Sequence, residues 1–170
     1  VGFFFPAGAG IRPLVRSRGL GDLYKRREQT GVVPRSMFLG ELVPAFEALK
    51  AKGLIGAWGI TGTGLPRSIM DVLRGEPKPA VVQAVTNLLD SPGGMRRYQE
   101  PAEPRNVIRT AKNNDVGVMG IRAVQAGALT SAIDRPLDAN DPEVKDYEKA
   151  APFRALCAEL GEDPAIVAHR

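Results

Sequence analysis

The sequence predicts an α/β fold made of repeated strand–helix units, and three observations carry that prediction. Short apolar segments alternate with amphipathic ones along most of the 170 residues. The apolar segments are hydrophobic throughout rather than at every second position, as in strands covered on both faces. Glycine and proline sit at the junctions, where strands and helices change over. The order strand, helix, repeated four times, leaves two architectures open. One is a doubly wound open sheet and the other is a piece of a (β/α)8 barrel.

Taken along the chain, "VGFFF" (1–5) reads as the first strand. Residues 6–36 carry Gly, Pro and Arg with little periodicity and read as an irregular, exposed, basic segment. Phe38, Leu42, Phe46 and Leu49 then recur at helical spacing, with Pro44 in a first turn or bend and Gly53 as the stop. "LIGAWGI" (54–60) is a buried strand, and "LPRSIMDVLRG" (65–75) is a helix with proline near its start and glycine past its end. "PAVVQAV" (79–85) is the next strand, followed by a loop with "DSPGGMRR" and a helix at about 103–114. That helix places Val107, Ile108 and Ala111 on one face. "VGVMGI" (116–121) is a further strand, then a short helical patch at 125–133 and a polar loop, "DRPLDANDPEV". Two helices close the chain, "APFRALCAELG" and "DPAIVAHR", the last capped by Asp163 with Pro164 in its first turn.

Composition sets the outer bounds. The length suits a single domain, 1–170, with a sizeable core. Hydrophobic residues make up 44% and charged residues 25%, the balance of a soluble globular protein. No apolar run approaches the roughly 20 residues that span a bilayer. The apolar start lacks a leading basic region, so it makes a poor signal peptide. Both ends read as cut: the chain opens on Val inside an apolar run and closes inside an apparent helix. One cysteine, Cys157, excludes internal disulfides and points to the cytoplasm. Its setting, "FRALCAEL", makes it a core thiol on the apolar side of a helix. The net charge of +4 is local, because residues 1–36 alone carry +5.

Residues 56–64, "GAWGITGTG", pose the question of function. A dinucleotide fingerprint needs G-x-G-x-x-G after the first strand and an acidic residue about 20 positions on. Here the order is G-x-x-G-x-G, the unit is not the first, and the next strand offers Gln83 near the acidic position. A Walker loop is excluded, since no Gly-Lys-Ser/Thr occurs. A tight strand-to-helix turn explains the glycines without a ligand.

A resemblance supplies a third reading. "AFEALKAKGLIGAWGITG" resembles the stretch of aldo-keto reductases in which a helix and a Lys-Gly turn lead to "IRYIGVSN". "VVQAVTNLLD" resembles that family's next strand, "VVQ" followed by a run containing "YN". "VGVMGIRAVQAGALT" is similar to "IGVLAYSPLAGGLLT", and "LCAELGEDPAIVAHR" to "IAEELGVSPAQVALRW". The four segments fall in order and at the right separations, covering residues 38–170 and weakly 1–5.

The resemblance implies a partial (β/α)8 TIM barrel, roughly strand 4 to helix 7, that uses NADPH or NADP at the C-terminal ends of its strands. It implies an oxidoreductase that reduces aldehydes or ketones by hydride transfer, with a small carbonyl compound as substrate. Thr61 keeps a hydroxyl where the family has a serine on the nicotinamide carboxamide, while Gly62 loses the neighbouring amide. Gln83 matches the family glutamine on the same carboxamide. Ile121 replaces the tyrosine that often stacks on the nicotinamide, and Arg122 replaces a serine. Val124, Gln125, Ala126, Gly127 and Leu129 match the loop over the cofactor pyrophosphate, where small residues let backbone N–H groups approach phosphate.

The family's catalytic aspartate, tyrosine, lysine and histidine find no counterpart, so no catalytic residue is assigned. Pro6 or Ala7 stands at the histidine position, His169 matches a non-catalytic place, and Tyr24, Tyr98 and Tyr147 match no family acid. The chain is thus expected to be inactive alone. Missing strands would leave open sheet edges that favour self-association. Two other functions compete: a non-catalytic nucleotide-binding remnant, and a nucleic-acid module using the basic 12–35 stretch. The second is weakened by a shortage of aromatics, Tyr24 being the one residue interleaved there. No metal is implied, and a membrane partner is not expected.

Overall fold

The computed structural model describes residues 2–5 and 35–170. The irregular segment expected at 6–36, with its basic stretch 12–35 and Tyr24, lies outside them except at its last two residues. Among the described residues the strands are β1 (Gly2–Phe5), β2 (Ala57–Gly62), β3 (Val81–Val85) and β4 (Gly117–Ile121), with helices between and after them. The first helix starts as Arg35–Met37 and widens to a π segment at Phe38–Leu42. It continues as α1, Val43–Ala51. The others are α2 (Pro66–Arg74), α3 (Pro104–Asn113), α4 (Pro142–Lys149), α5 (Ala151–Glu159) and α6 (Pro164–His169).

The sheet order is β1-β2-β3-β4. β2, β3 and β4 are parallel, with Thr61 opposite Gln83 and Gln83 opposite Met119. Parallel strands joined through helices on one side are the geometry of a partial (β/α) barrel, as expected. β1 departs from that pattern. It pairs antiparallel with β2, Gly2 opposite Ile60 and Phe5 opposite Ala57. A barrel strand preceding β2 would run parallel to it, so "VGFFF" is a strand but not in barrel fashion.

Period-two alternation sends Trp58, Ile60, Val82 and Ala84 to the helix side. There they meet Val43 and Phe46 of α1, Ile69 and Leu73 of α2, and Val107 and Ala111 of α3. Trp58 anchors this core: its ring centroid lies 5.4 Å from that of Phe46, and Nε1 donates to Glu47 Oε1 at 2.6 Å. That bond satisfies the one polar atom the indole buries. Leu73 is fully buried, a placement that contributes about 2 kcal/mol through its apolar area. Cys157 is buried, as expected of a core thiol.

Two expectations about the last third of the chain need correction. The helical patch at 125–133 is a single 3-10 turn, Gln125–Gly127, because Gln125 and Ala126 take left-handed backbone that a helix cannot continue through. The polar loop 134–144 ends in α4, which the sequence reading missed. Asp141 caps α4 by accepting from the Glu143 N–H at 3.0 Å, and Pro142 fills its first turn.

Candidate functional site

The parallel strands all end at one rim. Thr61, Gln83 and Met119 lie side by side there, on the face turned away from α1–α3. Thr61 Oγ1 donates to Gln83 Oε1 at 3.0 Å, and Gln83 Nε2 reaches Met119 Sδ at 3.6 Å. Thioether sulfur is a weak acceptor, so the Gln83 amide keeps a donor with little competition for it. Met119 is 42% exposed, and Thr61, Gln83 and Ile121 are half-buried. Ile121 lies one pleat further along the same face, opposite Val85. The result is a polar pair bordered by apolar side chains on an accessible strand end.

Gly62 points the other way, toward α2. A Cβ there would come within 2.8 Å of the Gln83 carbonyl oxygen and 2.9 Å of Val82 Cγ2. Real Cβ atoms do not approach so closely, so the missing side chain at Gly62 is what lets β3 pack against β2.

The chain after β4 is built quite differently. Arg122, Gln125 and Ala126 have φ of 60°, 48° and 50°, and Gly127 follows at 98°. Left-handed backbone costs a non-glycine residue about 1 kcal/mol or more, and persists where surrounding contacts fix it. Those contacts are present. Arg122 Nε donates to Gln125 Oε1 at 2.9 Å, and Nη2 donates to Glu143 Oε1 at 2.8 Å. Gln125 is fully buried, and its Nε2 donates to Asp146 Oδ2 at 2.6 Å. Ser91 Oγ donates to the same oxygen at 2.6 Å. Asn87 Nδ2 closes the ring on Gln125 Oε1 at 3.2 Å.

Glu143 also accepts from the Gly94 N–H at 2.9 Å. Burial alone would raise its carboxyl. Its hydrogen bonds with Asp141, the Gly94 N–H and Arg122 outweigh burial and bring the pKa to about 2. Asp141 shifts the opposite way, upward, through its hydrogen bond with Glu143. The pair of glycines in "DSPGGM" is required here: a Cβ on Gly93 would stand 2.6 Å from Gln125 Nε2, and φ is +52°.

A family model for the aldo/keto reductase family matches residues 24–170. The chain belongs to this family. Aldo/keto reductases are oxidoreductases, and the match begins earlier than the resemblance at 38–170 had placed it, taking in 24–36 of the segment expected to have no family match. It leaves out residues 1–5, the strand that pairs antiparallel. No curated protein and no solved structure matches the chain. No described helix is long and apolar enough to cross a membrane.

The residues expected to hold a nicotinamide cofactor in this aldo/keto reductase divide into two groups. Thr61 and Gln83 are brought into contact, with Ile121 and Met119 beside them. An amide next to a hydroxyl offers both a donor and an acceptor, which suits a carboxamide. Val124, Gln125, Ala126, Gly127 and Leu129 form one turn, in which Gln125 and Leu129 are buried. The N–H groups of Gln125, Gly127 and Leu129 donate within that turn, to Arg122, Val124 and Val124 carbonyls respectively. Arg122 is spent on Glu143 and Gln125. The strand-end pair thus keeps side-chain polar groups accessible, whereas the loop's polar groups and the Arg122 charge are engaged within the protein.

Met119, Asn87, Ser91, Glu143 and Asp146 were not singled out from the sequence. Met119 had a signal, since it stands two residues before Ile121 on the same strand. The others are brought to the site by α4 and by the loop after β3, and no local pattern marks them.

An open groove of 320 Å³ lies at the other end of the sheet, lined by Glu47, Lys50, Trp58, Glu76, Lys78 and Asp115. Its lysines pair with its own glutamates, Lys50 with Glu47 at 3.8 Å and Lys78 with Glu76 at 3.6 Å.

Proposed function

We propose that this aldo/keto reductase chain binds NADPH or NADP at the C-terminal rim of β2–β4 and belongs to the carbonyl-reducing chemistry of small aldehydes and ketones. The supporting observation is the Thr61–Gln83 contact of 3.0 Å, made across two parallel strands on an accessible face. Gln83 would give its Nε2–H to the carboxamide oxygen, and Thr61 Oγ1 would accept from the carboxamide nitrogen. Bound there, the cofactor supplies a hydride to a carbonyl carbon. Met119 and Ile121 border the pair with apolar surface on which a nicotinamide ring could lie.

The proton needed at the carbonyl oxygen has no donor among the described tyrosines. Tyr147 donates its hydroxyl to the Ser131 carbonyl at 2.8 Å. Burial, the largest influence on Tyr98, raises its phenol pKa, which makes it a weaker acid than an ordinary tyrosine, and no described group acts to lower it enough to offset that. We therefore expect the 170-residue chain to bind cofactor without turning over substrate. Titration calorimetry with NADPH, together with the cofactor's own fluorescence, tests the first half. Trp58 is a poorer reporter, because it lies buried on the opposite face. Saturable binding supports the reading, and no heat at millimolar NADPH refutes it. Reduction of a generic aldehyde by the same chain would refute the second half.

A further inference from the structure

The loop after β4 holds three non-glycine residues in left-handed backbone, and its polar groups are tied down from outside. Asp146 Oδ2 takes both the Gln125 amide and the Ser91 hydroxyl, so one oxygen of α4 joins the loops after β3 and β4. Asp146 is 3% exposed, and its bond to Gln125 is buried while that to Ser91 is partly so. On the other side of the loop, donors pin successive carbonyls: Arg135 Nη1 that of Ala126 at 2.9 Å, Arg154 Nη1 that of Ala128 at 3.0 Å, and Tyr147 Oη that of Ser131. The Arg154 guanidinium is itself held over the Tyr147 ring, 3.5 Å from its centroid. Side chains of α4 and α5, with Arg135 from the segment before α4, thus grip the loop through both its side chains and its carbonyls.

We propose that Asp146 is a positioning residue: from α4 it fixes the left-handed shape of the 122–131 loop, and through that shape it sets NADPH affinity. The second half rests on the cofactor reading above, while the first stands on the loop alone. Asp146 touches no cofactor group itself. Removing it leaves the fully buried Gln125 amide with only the longer contact to Ser91 Oγ, at 3.4 Å, and takes one tether from the strained backbone.

The test compares Asp146→Ala, Asp146→Asn and Leu73→Ala in the full 170-residue chain, Leu73→Ala being a core control in α2. Amide hydrogen exchange at Gln125, Gly127 and Leu129 reads the loop, and NADPH titration reads the site. In Asp146→Ala we expect those amides to exchange at least about tenfold faster than in the control, and NADPH to bind about tenfold more weakly. Asp146→Asn keeps an acceptor oxygen in place and should recover most of both. Should Asp146→Ala not fold, Asp146→Ser, one bond shorter than the aspartate but still polar, replaces it in both measurements. Loop exchange no faster than in Leu73→Ala overturns the proposal. Faster exchange with unchanged affinity overturns the link between loop shape and cofactor. Faster exchange in a chain whose parent binds no NADPH overturns the cofactor reading and leaves the structural role of Asp146 standing.

Discussion

Two regions at the same rim of the sheet are built on opposite terms. At the ends of β2 and β3, Thr61 and Gln83 hold one another, and among the described residues the Gln83 side chain otherwise reaches a thioether. After β4, Arg122 and Gln125 are buried or nearly so, and their functional groups are bound to Glu143, Asp146 and Asn87. The first region keeps polar capacity for something else. The second has spent it on its own conformation. Polar groups that satisfy each other in a buried network are costly to break, whereas a loosely engaged pair on an accessible face can change partners at little cost. The contrast separates groups that would bind from groups that position.

The network side of this contrast should give the largest effect. Glu143 is 7% exposed and its pKa lies at about 2, below the ordinary 4.5. A depressed carboxylate stabilises the fold above its unfolded value and loses that stabilisation as pH falls through its folded value. Replacing it by glutamine, which is close to the protonated acid in shape, should cost on the order of 2 kcal/mol at pH 7. The penalty should hold down to about 4.5 and fade toward pH 2, in urea midpoints measured side by side with the parent. Asp141 works against this window, because its raised carboxyl favours the protonated form and its stabilisation is lost as pH rises. Asp141 is half-buried, and because its upward shift comes first from Glu143, Glu143→Gln relieves that opposing contribution as well. A penalty for Glu143→Gln that stays constant from pH 7 to pH 3 would show that the charge does not matter, and the network would reduce to packing.

Gly62 sits on the boundary between the two regions and should give a smaller effect. Its missing Cβ is the space that the Gln83 carbonyl and Val82 occupy. Gly62→Ala should destabilise by about 1–3 kcal/mol through overpacking, because the closest atom belongs to backbone that cannot swing aside. It should also shift β3 against β2 and so disturb the Thr61–Gln83 contact. Thermal denaturation gives the first quantity, and NADPH titration the second. A fully stable Gly62→Ala chain would mean that β3 has room to yield.

The same contrast explains what the sequence disclosed. Strand ends are local: Thr61 and Gln83 close short apolar runs whose motifs resemble those of aldo-keto reductases, so the resemblance could name both before the fold was known. The 122–131 loop was legible only as a run of small residues. Its left-handed turn depends on Asp146 and Glu143, which arrive from α4, and α4 itself was hidden because "PEVKDYEK" carries no apolar stripe. The one available signal was Asp141–Pro142, the same cap-and-proline pair that correctly marked α6 at Asp163–Pro164. The antiparallel β1 was illegible for a different reason. An apolar run such as "VGFFF" specifies a strand but carries nothing about its direction.

The smallest effect on stability should come from Thr61, and it is the most informative about binding. Thr61→Val keeps the branched shape on β2 and removes one half-buried hydrogen bond, so the change in stability should stay within about 1 kcal/mol. The Gln83 carbonyl then loses its intramolecular donor and is free to turn. If the pair holds a carboxamide, the same substitution removes an acceptor from the ligand and leaves Gln83 poorly aimed. NADPH affinity should then fall about tenfold with hardly any movement in the melting midpoint. The division of effects is opposite to that expected of Glu143→Gln, where stability falls and the loop carries any loss of affinity indirectly. Equal NADPH affinity in Thr61→Val and the parent would remove Thr61 from the binding group. Gln83 and its apolar neighbours would remain to account for whatever binding the chain shows.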